Sequence, residues 1–447
     1  MRIVVCGAGK LGYSVAQMLA DELYEVVVIE SDPKRRDNVQ TTLDVLCLEV
    51  DCCSPSTFEL DDVRNADLLI AATDNDQVNM VTCMLAKKAG IAHTVARIRN
   101  VDYAINASNL LNIDMKIDLI LNPERITALE INRILMAPSA LNVEDFADGR
   151  VRMFEAKIRQ DSPLINIPLK HLSIPRDILV AMVFRHHRMF IPNGETILDA
   201  NDNVYFVGRR EAIDEFEQSF VNIYEKIEKV MIIGAGRTGR FLAPMLEKNG
   251  LSVKVIEKSK ERCEFMSSIL ERGTVLCGDG TDMDLLTEEG AGEADVVVCI
   301  TEDDKLNLLL ALLAKHVGAK KTIVRVARNE YIELMEKVGV DVVLSTRMLS
   351  AGEVLRFVRR GGLVSVSFLE GAQGEAMEII VGAASQVDGK ALKDIKFPPE
   401  CLLCAIVRNG AAYIPNGQTV LEANDRVIFI VKKENASKAI AMFNTKR

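Results

Sequence analysis

Positive charge, histidine and long apolar runs are all scarce in this chain of 447 residues. Lysine and arginine total 54 against 64 acidic residues, which leaves a formal net charge of −10. A nucleic-acid binder needs a basic face to neutralise phosphates, so that class is set aside. The same deficit argues, more weakly, against direct docking on an anionic membrane surface. No stretch approaches the roughly 18 apolar residues of a spanning helix. The longest candidate, Leu306 to Ala314, is broken by Asn307 and bounded by Lys305 and Lys315. Met1-Arg2-Ile3-Val4-Val5 leads straight into a glycine turn, so no secretory leader is expected. Any membrane role is therefore expected to come through a protein partner. The histidines number five: His93, His171, His186, His187 and His316. They form no repeated constellation, which leaves proton-transfer catalysis without an evident donor or acceptor.

The cysteines are ten, and several, such as Cys6 and Cys299, sit inside apolar strand-like runs where a free thiol behaves as a small hydrophobe. Cys401-Leu402-Leu403-Cys404 has redox or metal spacing, but the segment reads as a strand, whose positions three apart face opposite sides. Cys52-Cys53 has no second pair nearby in sequence. A reducing compartment fits this usage.

What is present in abundance is internal repetition. Val5-Cys6-Gly7-Ala8-Gly9-Lys10-Leu11-Gly12 returns as Ile232-Ile233-Gly234-Ala235-Gly236-Arg237-Thr238-Gly239, an offset of 227 that also carries Glu30 onto Glu257. An offset of 228 carries Ala66-Asp67, Thr73, Asp76 and Asn79 onto Ala294-Asp295, Thr301, Asp304 and Asn307. An offset of 223 carries Ile191-Pro192-Asn193-Gly194 onto Ile414-Pro415-Asn416-Gly417, and 11 of the 17 positions from there are identical. Two nucleotide-type folds with two copies of one companion leave no evident room for a catalytic domain, and sensing is the expected task.

Each first module reads as strand, glycine turn, helix, strand, acid. Gly7 and Gly234 permit the tight turn, Gly9 and Gly236 let backbone approach a pyrophosphate, and Gly12 and Gly239 let the helix pack on the sheet. The helix N-terminus offers N–H groups and a positive dipole end to phosphate. Glu30, 18 residues after Gly12, is placed for ribose hydroxyls, as is Glu257; a 2′-phosphate would be repelled, favouring NAD or an adenosine nucleotide over NADP. Strand ends line the crevice of such sheets, which brings in Asp51 and Thr73, and in the second half Asp279 and Thr301. Asn79 and Asn307 are read as helix caps. Arg97 and Arg325 end central strands, where they could meet phosphate oxygens or pair with an acid. Lys10 and Arg237, inside the glycine turns, either reach a terminal phosphate or point to solvent.

The sheets are expected to close at Met115 to Leu121 and Val340 to Leu344, followed by helices Arg125 to Leu135 and Leu349 to Val358. In the latter, Ala351, Val354, Leu355 and Val358 form a stripe able to bury against a partner. The short alternating strands that follow carry Pro-Asn-Gly, read as a hairpin turn with a folding role. The fold class is thus α/β: two Rossmann-like doubly wound parallel-sheet domains, at 1–122 and 228–346, each followed by a small α+β domain, at 140–225 and 365–447. Gly361-Gly362 marks the last boundary.

With these residues in hand, the chain resembles the RCK (regulator of conductance of potassium) or KTN domain family over essentially its whole length. Individual motifs are moderately specific; their duplicated order is highly specific. The resemblance implies a cytosolic regulator, peripheral on the inner face of the plasma membrane, that binds a membrane-embedded potassium-conducting subunit of the Trk type. It implies NAD(H), alternatively ATP/ADP, at the glycine crevices, and assembly of the nucleotide folds into a gating ring, a tetramer carrying eight folds. Carried over, the first site comprises Gly7, Ala8, Gly9, Lys10, Leu11, Gly12, Glu30, Asp51, Cys52, Thr73, Asp74 and Arg97. The second comprises Gly234, Ala235, Gly236, Arg237, Thr238, Gly239, Glu257, Asp279, Gly280, Thr301, Glu302 and Arg325. One departure is Asp51-Cys52-Cys53 against Gly278-Asp279-Gly280-Thr281; losing the glycine narrows the first adenine pocket, so the sites are expected to differ. A nicotinamide-dependent oxidoreductase and a regulator of a different transporter are the alternatives.

Overall fold

The computed structural model describes residues 1–100, 103, 116–136, 142–185, 188–221, 227–358, 363–369 and 373–445. Met115, His186-His187 and Gly361-Gly362 lie outside the described residues. The chain divides into two compact units, Met1–Asn132 with Ile227–Val358, and Arg133–Lys226 with Arg359–Arg447. Like repeats are therefore gathered together.

The first unit holds two six-stranded parallel sheets with the same spatial order, 3-2-1-4-5-6 in each sheet's own chain order. In the first these are Leu46–Leu48, Glu25–Ile29, Arg2–Cys6, Leu68–Ala71, His93–Arg97 and Leu119–Leu121. In the second they are Thr274–Cys277, Ser252–Glu257, Lys229–Ile233, Val296–Cys299, Lys321–Val326 and Val342–Ser345. Helices cover both faces, so the central strands are continuous apolar runs: Ile3 to Cys6 and Leu68 to Ala71 are fully buried. The strand order reverses between the first and fourth strands, which pair as Val5↔Ile70 and Ile232↔Val298. A ligand crevice opens at the carboxyl ends at such a switch point.

Each sheet is followed by a helix, Pro123–Met136 and Thr346–Val358. The stripe Ala351, Val354, Leu355 and Val358 is buried as expected, and its partner is the other repeat. Thr346–Val358 packs on helix Lys10–Asp21 and strand Leu119–Leu121 of the first fold. The Thr127 hydroxyl bonds the Thr346 hydroxyl at 3.1 Å, and Asn249 donates to Asn132 at 2.7 Å. The two nucleotide folds are joined through elements more than 100 residues apart.

The second unit holds two five-stranded antiparallel sheets. Phe146, Met153, Met182 and Tyr205 of one share a core with Leu369, Ala376, Cys404 and Ile428 of the other. The expected Pro-Asn-Gly hairpin is corrected here. Asn193 and Asn416 lie in Asx turns, accepting from the backbone N–H of Glu195 and Gln418 at 2.9 Å. The Asn-Gly hairpin is Asn409-Gly410, joining Cys401–Arg408 to Ala411–Tyr413, with φ of +52° and +80°. A type I′ turn needs positive φ at both central residues, and neither Asn193 nor Gly194 has it. Cys401 and Cys404 lie in strand Cys401–Arg408, which pairs with Arg426–Lys432, and burial pushes both thiols up, Cys401 to about 12.

Candidate functional site

The glycine turn is built by close approach. Gly7 has φ of +92°, and a Cβ there would come within 3.0 Å of the Thr73 backbone. A Cβ on Gly12 would overlap the Gly7 carbonyl oxygen, and one on Gly239 the Gly234 carbonyl. Gly9 differs: its hypothetical Cβ meets nothing nearer than Arg35 at 3.6 Å. Gly9 is the N-cap of helix Lys10–Asp21 and Gly236 that of Arg237–Lys248; neither has a side-chain cap, so the first turn's N–H groups face the crevice unused.

Glu30 is buried, with Oε2 accepting from Ala8 N–H at 2.7 Å and Oε1 from Asp32 N–H at 2.8 Å. Glu257 repeats this with Ala235 at 2.7 Å and Ser259 at 2.9 Å. Each acid thus clamps the glycine turn to the end of the second strand. An ionised carboxylate offers about four acceptor positions, which leaves room for ribose hydroxyls.

Asn79 and Asn307 are not helix caps. Asn75 and Asp303 are, accepting from Val78 and from Lys305 and Leu306. Asn79 is fully buried one turn later; its Oδ1 accepts from the N–H and hydroxyl of Thr73 at 2.9 and 2.6 Å, and its Nδ2 donates to the carbonyls of Thr73 and Arg97 at 3.1 and 2.8 Å. Asn307 does the same for Thr301 and Arg325. This residue pins the loop after strand four to strand five, so Thr73 and Thr301 spend their hydroxyls on the fold.

The strand-end arginines diverge. Arg97 donates to the Thr73 carbonyl at 2.9 Å and pairs with Asp74 at 2.8 Å, which holds that carboxyl below its usual range. Arg325 donates to the Thr301 carbonyl at 2.9 Å and the Thr346 hydroxyl at 3.2 Å. Burial lowers its pKa from the ordinary arginine value, countered by the charges of Asp304, Glu124 and Glu302.

The two folds present these parts to one cleft of about 820 Å³. Ala8 to Leu11 line it from one fold and Gly236 to Thr238 from the other, with Arg97, Asp74, Glu302 and Arg325 between them. Residues not singled out in the sequence complete it: Lys34 and Arg35 from the helix after strand two, Arg99 with its partner Glu124, and Arg347 at the start of the crossing helix. Eight basic residues face three acids in an otherwise acidic chain. Arg97 and Arg347 each carry a buried Nε without a hydrogen-bond partner. A second cavity of about 190 Å³ lies in the second fold between Gly234, Glu257, Asp279, Gly280 and Thr301. There Lys258 bonds Asp279 at 2.8 Å and, with the N–H and hydroxyl of Thr281, holds its pKa down to about 2. Glu30, Asp51, Cys52 and Thr73 line neither of these cavities. The only sequence cue to Arg347 was its place just after the sixth strand.

Duplicated switch-point sheets, paired glycine turns and two antiparallel companions define the architecture with which known proteins can be compared. The TrkA-N domain matches residues 3–123 and 230–346, and the TrkA-C domain matches 153–221 and 376–444. The chain belongs to the TrkA family. The Trk system potassium uptake protein TrkA homolog 1 of Methanosarcina mazei is 36% identical over 454 residues, spanning 99% of this chain and 100% of that one. TrkA of Vibrio alginolyticus is 33% identical over 452 residues, spanning 99% and 98%. Among solved structures, the GsuK channel bound to NAD aligns over 99% of this chain and 78% of its own, with a TM-score of 0.65 at 18% identity. GsuK bound to ADP aligns over 80% and 69%, with a TM-score of 0.51 at 14% identity. These establish the tandem RCK fold in this TrkA relative. No helix among the described residues is long and apolar enough to cross a membrane.

Proposed function

We propose that this TrkA-family chain is the nucleotide-sensing regulatory subunit of a potassium-uptake system. The observation that carries the reading is the shared cleft, in which two uncapped helix N-termini and eight basic side chains converge. A nucleotide's phosphates fit that chemistry. The N–H groups of Lys10, Leu11 and their counterparts Arg237 and Thr238 would hold the pyrophosphate, Glu30 and Glu257 the ribose, and the orphaned Nε atoms of Arg97 and Arg347 further phosphate oxygens. NAD(H) is the first ligand to test, ATP/ADP the alternative; structures of the distantly similar GsuK are of its NAD-bound and ADP-bound forms.

The partner in this reading is a membrane-embedded potassium-conducting subunit of the TrkH/TrkG type, engaged by a homotetrameric ring at the inner face of the plasma membrane. A ligand shifts such a ring only by binding one state better than the other. Coupling of about 1–3 kcal/mol per site is usual, and several sites add.

Calorimetric titration with NADH, NAD, ATP and ADP tests this, repeated with Gly9→Asp and Gly236→Asp. At both positions a Cβ meets only the ends of side chains, at 3.6 Å or more, so the added carboxylate acts on phosphate rather than on folding. Binding lost site by site is expected. Absence of binding by all four ligands to folded protein, or nucleotide binding that leaves potassium flux unchanged, would end the proposal.

A further inference from the structure

The first nucleotide fold carries a thiol cluster that the second lacks. Gly280 of the second fold has no room for a side chain: a Cβ would stand 2.6 Å from Ile233 and 3.2 Å from Leu310. The repeat offsets place Cys52, Cys6 and Thr82 at these three positions in the first fold. The smaller Cys6 and Thr82 admit the Cys52 side chain, which packs against the core cluster that contains Cys6. Cys53 joins them, its Sγ 3.4 Å from the Thr82 hydroxyl and 3.6 Å from the Val78 carbonyl. Cys6 is fully buried, whereas Cys52 and Cys53 are partly exposed, so small solutes reach the cluster from one side.

We infer that Cys52 and Cys6 form a peroxide-sensitive thiol pair whose disulfide closes the first nucleotide crevice and leaves the second untouched. Cys52 is the attacking group. The neighbouring Cys6 thiol draws its pKa down to about 6, with help from the Thr82 hydroxyl and from Cys53, against burial and the nearby Asp51 charge. The same interaction raises Cys6, which keeps its proton. The Cys52 thiolate attacks one peroxide oxygen, the O–O bond breaks, and the departing hydroxide takes a proton to become water. The Cys6 sulfur then attacks the Cys52 sulfenic acid, expels its hydroxyl and gives up its own proton to form a second water. Two thiols are oxidised and one peroxide is reduced.

The disulfide would tie the end of the first strand, immediately before Gly7, to the loop carrying Asp51. That loop is the counterpart of the one bearing Asp279 and Gly280 in the second cavity. The effect on ligand rests on the nucleotide reading above; the crosslink does not. A second pair of neighbouring thiols, Cys263 and Cys277, lies beside Glu257, whose carbonyl accepts from Cys263 at 3.1 Å; Cys277 is exposed, and the pair serves as the internal competitor.

The test treats reduced full-length protein, carrying Gly236→Asp to silence the second fold, with stoichiometric hydrogen peroxide. Peptide mapping then reads the crosslinks, and calorimetry reads ADP affinity before and after. The expected result is a dominant Cys6–Cys52 disulfide, absent in Cys52→Ser and in Cys6→Ala but retained in Cys53→Ser. Affinity for ADP at the first fold should fall roughly tenfold, within the usual range for coupled sites, and return on reduction. Oxidation confined to Cys263–Cys277, or a Cys6–Cys52 disulfide that leaves ADP affinity unchanged, overturns the inference. Reduced protein that binds no ADP at the first fold refutes the nucleotide reading instead, and the mapping still decides the crosslink.

Discussion

The two nucleotide folds share a scaffold and differ in a pocket. The acid clamps on Ala8 and Ala235 and the buried Asn79 and Asn307 networks agree to within tenths of an ångström. Beyond the third strand they part: Val50-Asp51-Cys52-Cys53 faces Cys6 and Thr82, whereas Gly278-Asp279-Gly280-Thr281 faces Ile233 and Leu310. Each set packs because small residues on one wall meet large ones on the other, as close-packed interiors require. The turn geometry is thus common property of both repeats, while the loop after the third strand differs in a few residues that fit their own neighbours.

The largest effect should come from breaking the common part. Gly12→Ala drives a methyl into the Gly7 carbonyl, a backbone atom that cannot swing aside. A loss of about 3 kcal/mol is expected from such overpacking, with Gly239→Ala costing less because its overlap with the Gly234 carbonyl is shallower. Denaturant unfolding of the two variants reads the difference, and equal losses would show that the two turns are equally tight, against the difference in overlap.

Next in size is Asn79→Ala against Asn307→Ala. Each removes four hydrogen bonds around a fully buried side chain and leaves the Thr73 or Thr301 N–H without its acceptor. About 2–3 kcal/mol is expected from each. Here the comparison should vanish: unequal values from thermal unfolding would mean the networks are not equivalent.

These asparagines also show how far the sequence carries. The parallel sheets, the glycine turns and the acids at the second strand's end were legible because full burial and close backbone approach restrict residue type at those positions. Asn79 was read as a cap because it sits near a helix start, and burial is what distinguishes it from Asn75. The Asn193-Gly194 dipeptide carried a hairpin signal, but the φ values that decide turn type belong to Asn409-Gly410. The shared cleft was not legible. Arg347 and Arg99 come together only because helix Thr346–Val358 crosses to the first fold, a contact between segments over 200 residues apart that no local pattern encodes.

A smaller effect converts one pocket toward the other. Gly280→Cys alone should cost about 1–2 kcal/mol, since its side chain meets Ile233 and Leu310. It should also weaken nucleotide binding at the second fold. Adding Ile233→Cys, the residue type of the first repeat, should restore part of the loss, with a coupling of about 1 kcal/mol in a double-mutant cycle. Strict additivity of the two changes would show that the first fold's cysteines do not compensate one another.

The smallest effect concerns an ion pair of the second fold, Lys258 with Asp279. Lys258 holds Asp279 at about pH 2, and the repeat offset places Ser31 where Lys258 stands, so Asp51 has no lysine partner there. A carboxyl whose folded pKa lies below its unfolded value contributes stability above the unfolded pKa, near pH 4, and loses it as pH falls toward about 2. Lys258→Met should therefore lower stability slightly at neutral pH, and the two proteins should converge below about pH 2. Both side chains are exposed, so the difference should be small and should shrink further in high salt, where surface charges are screened. A gap between the proteins that persisted in acid, or was indifferent to salt, would mean that Lys258 acts by packing its chain rather than by charge, and the electrostatic distinction between the two pockets would be lost.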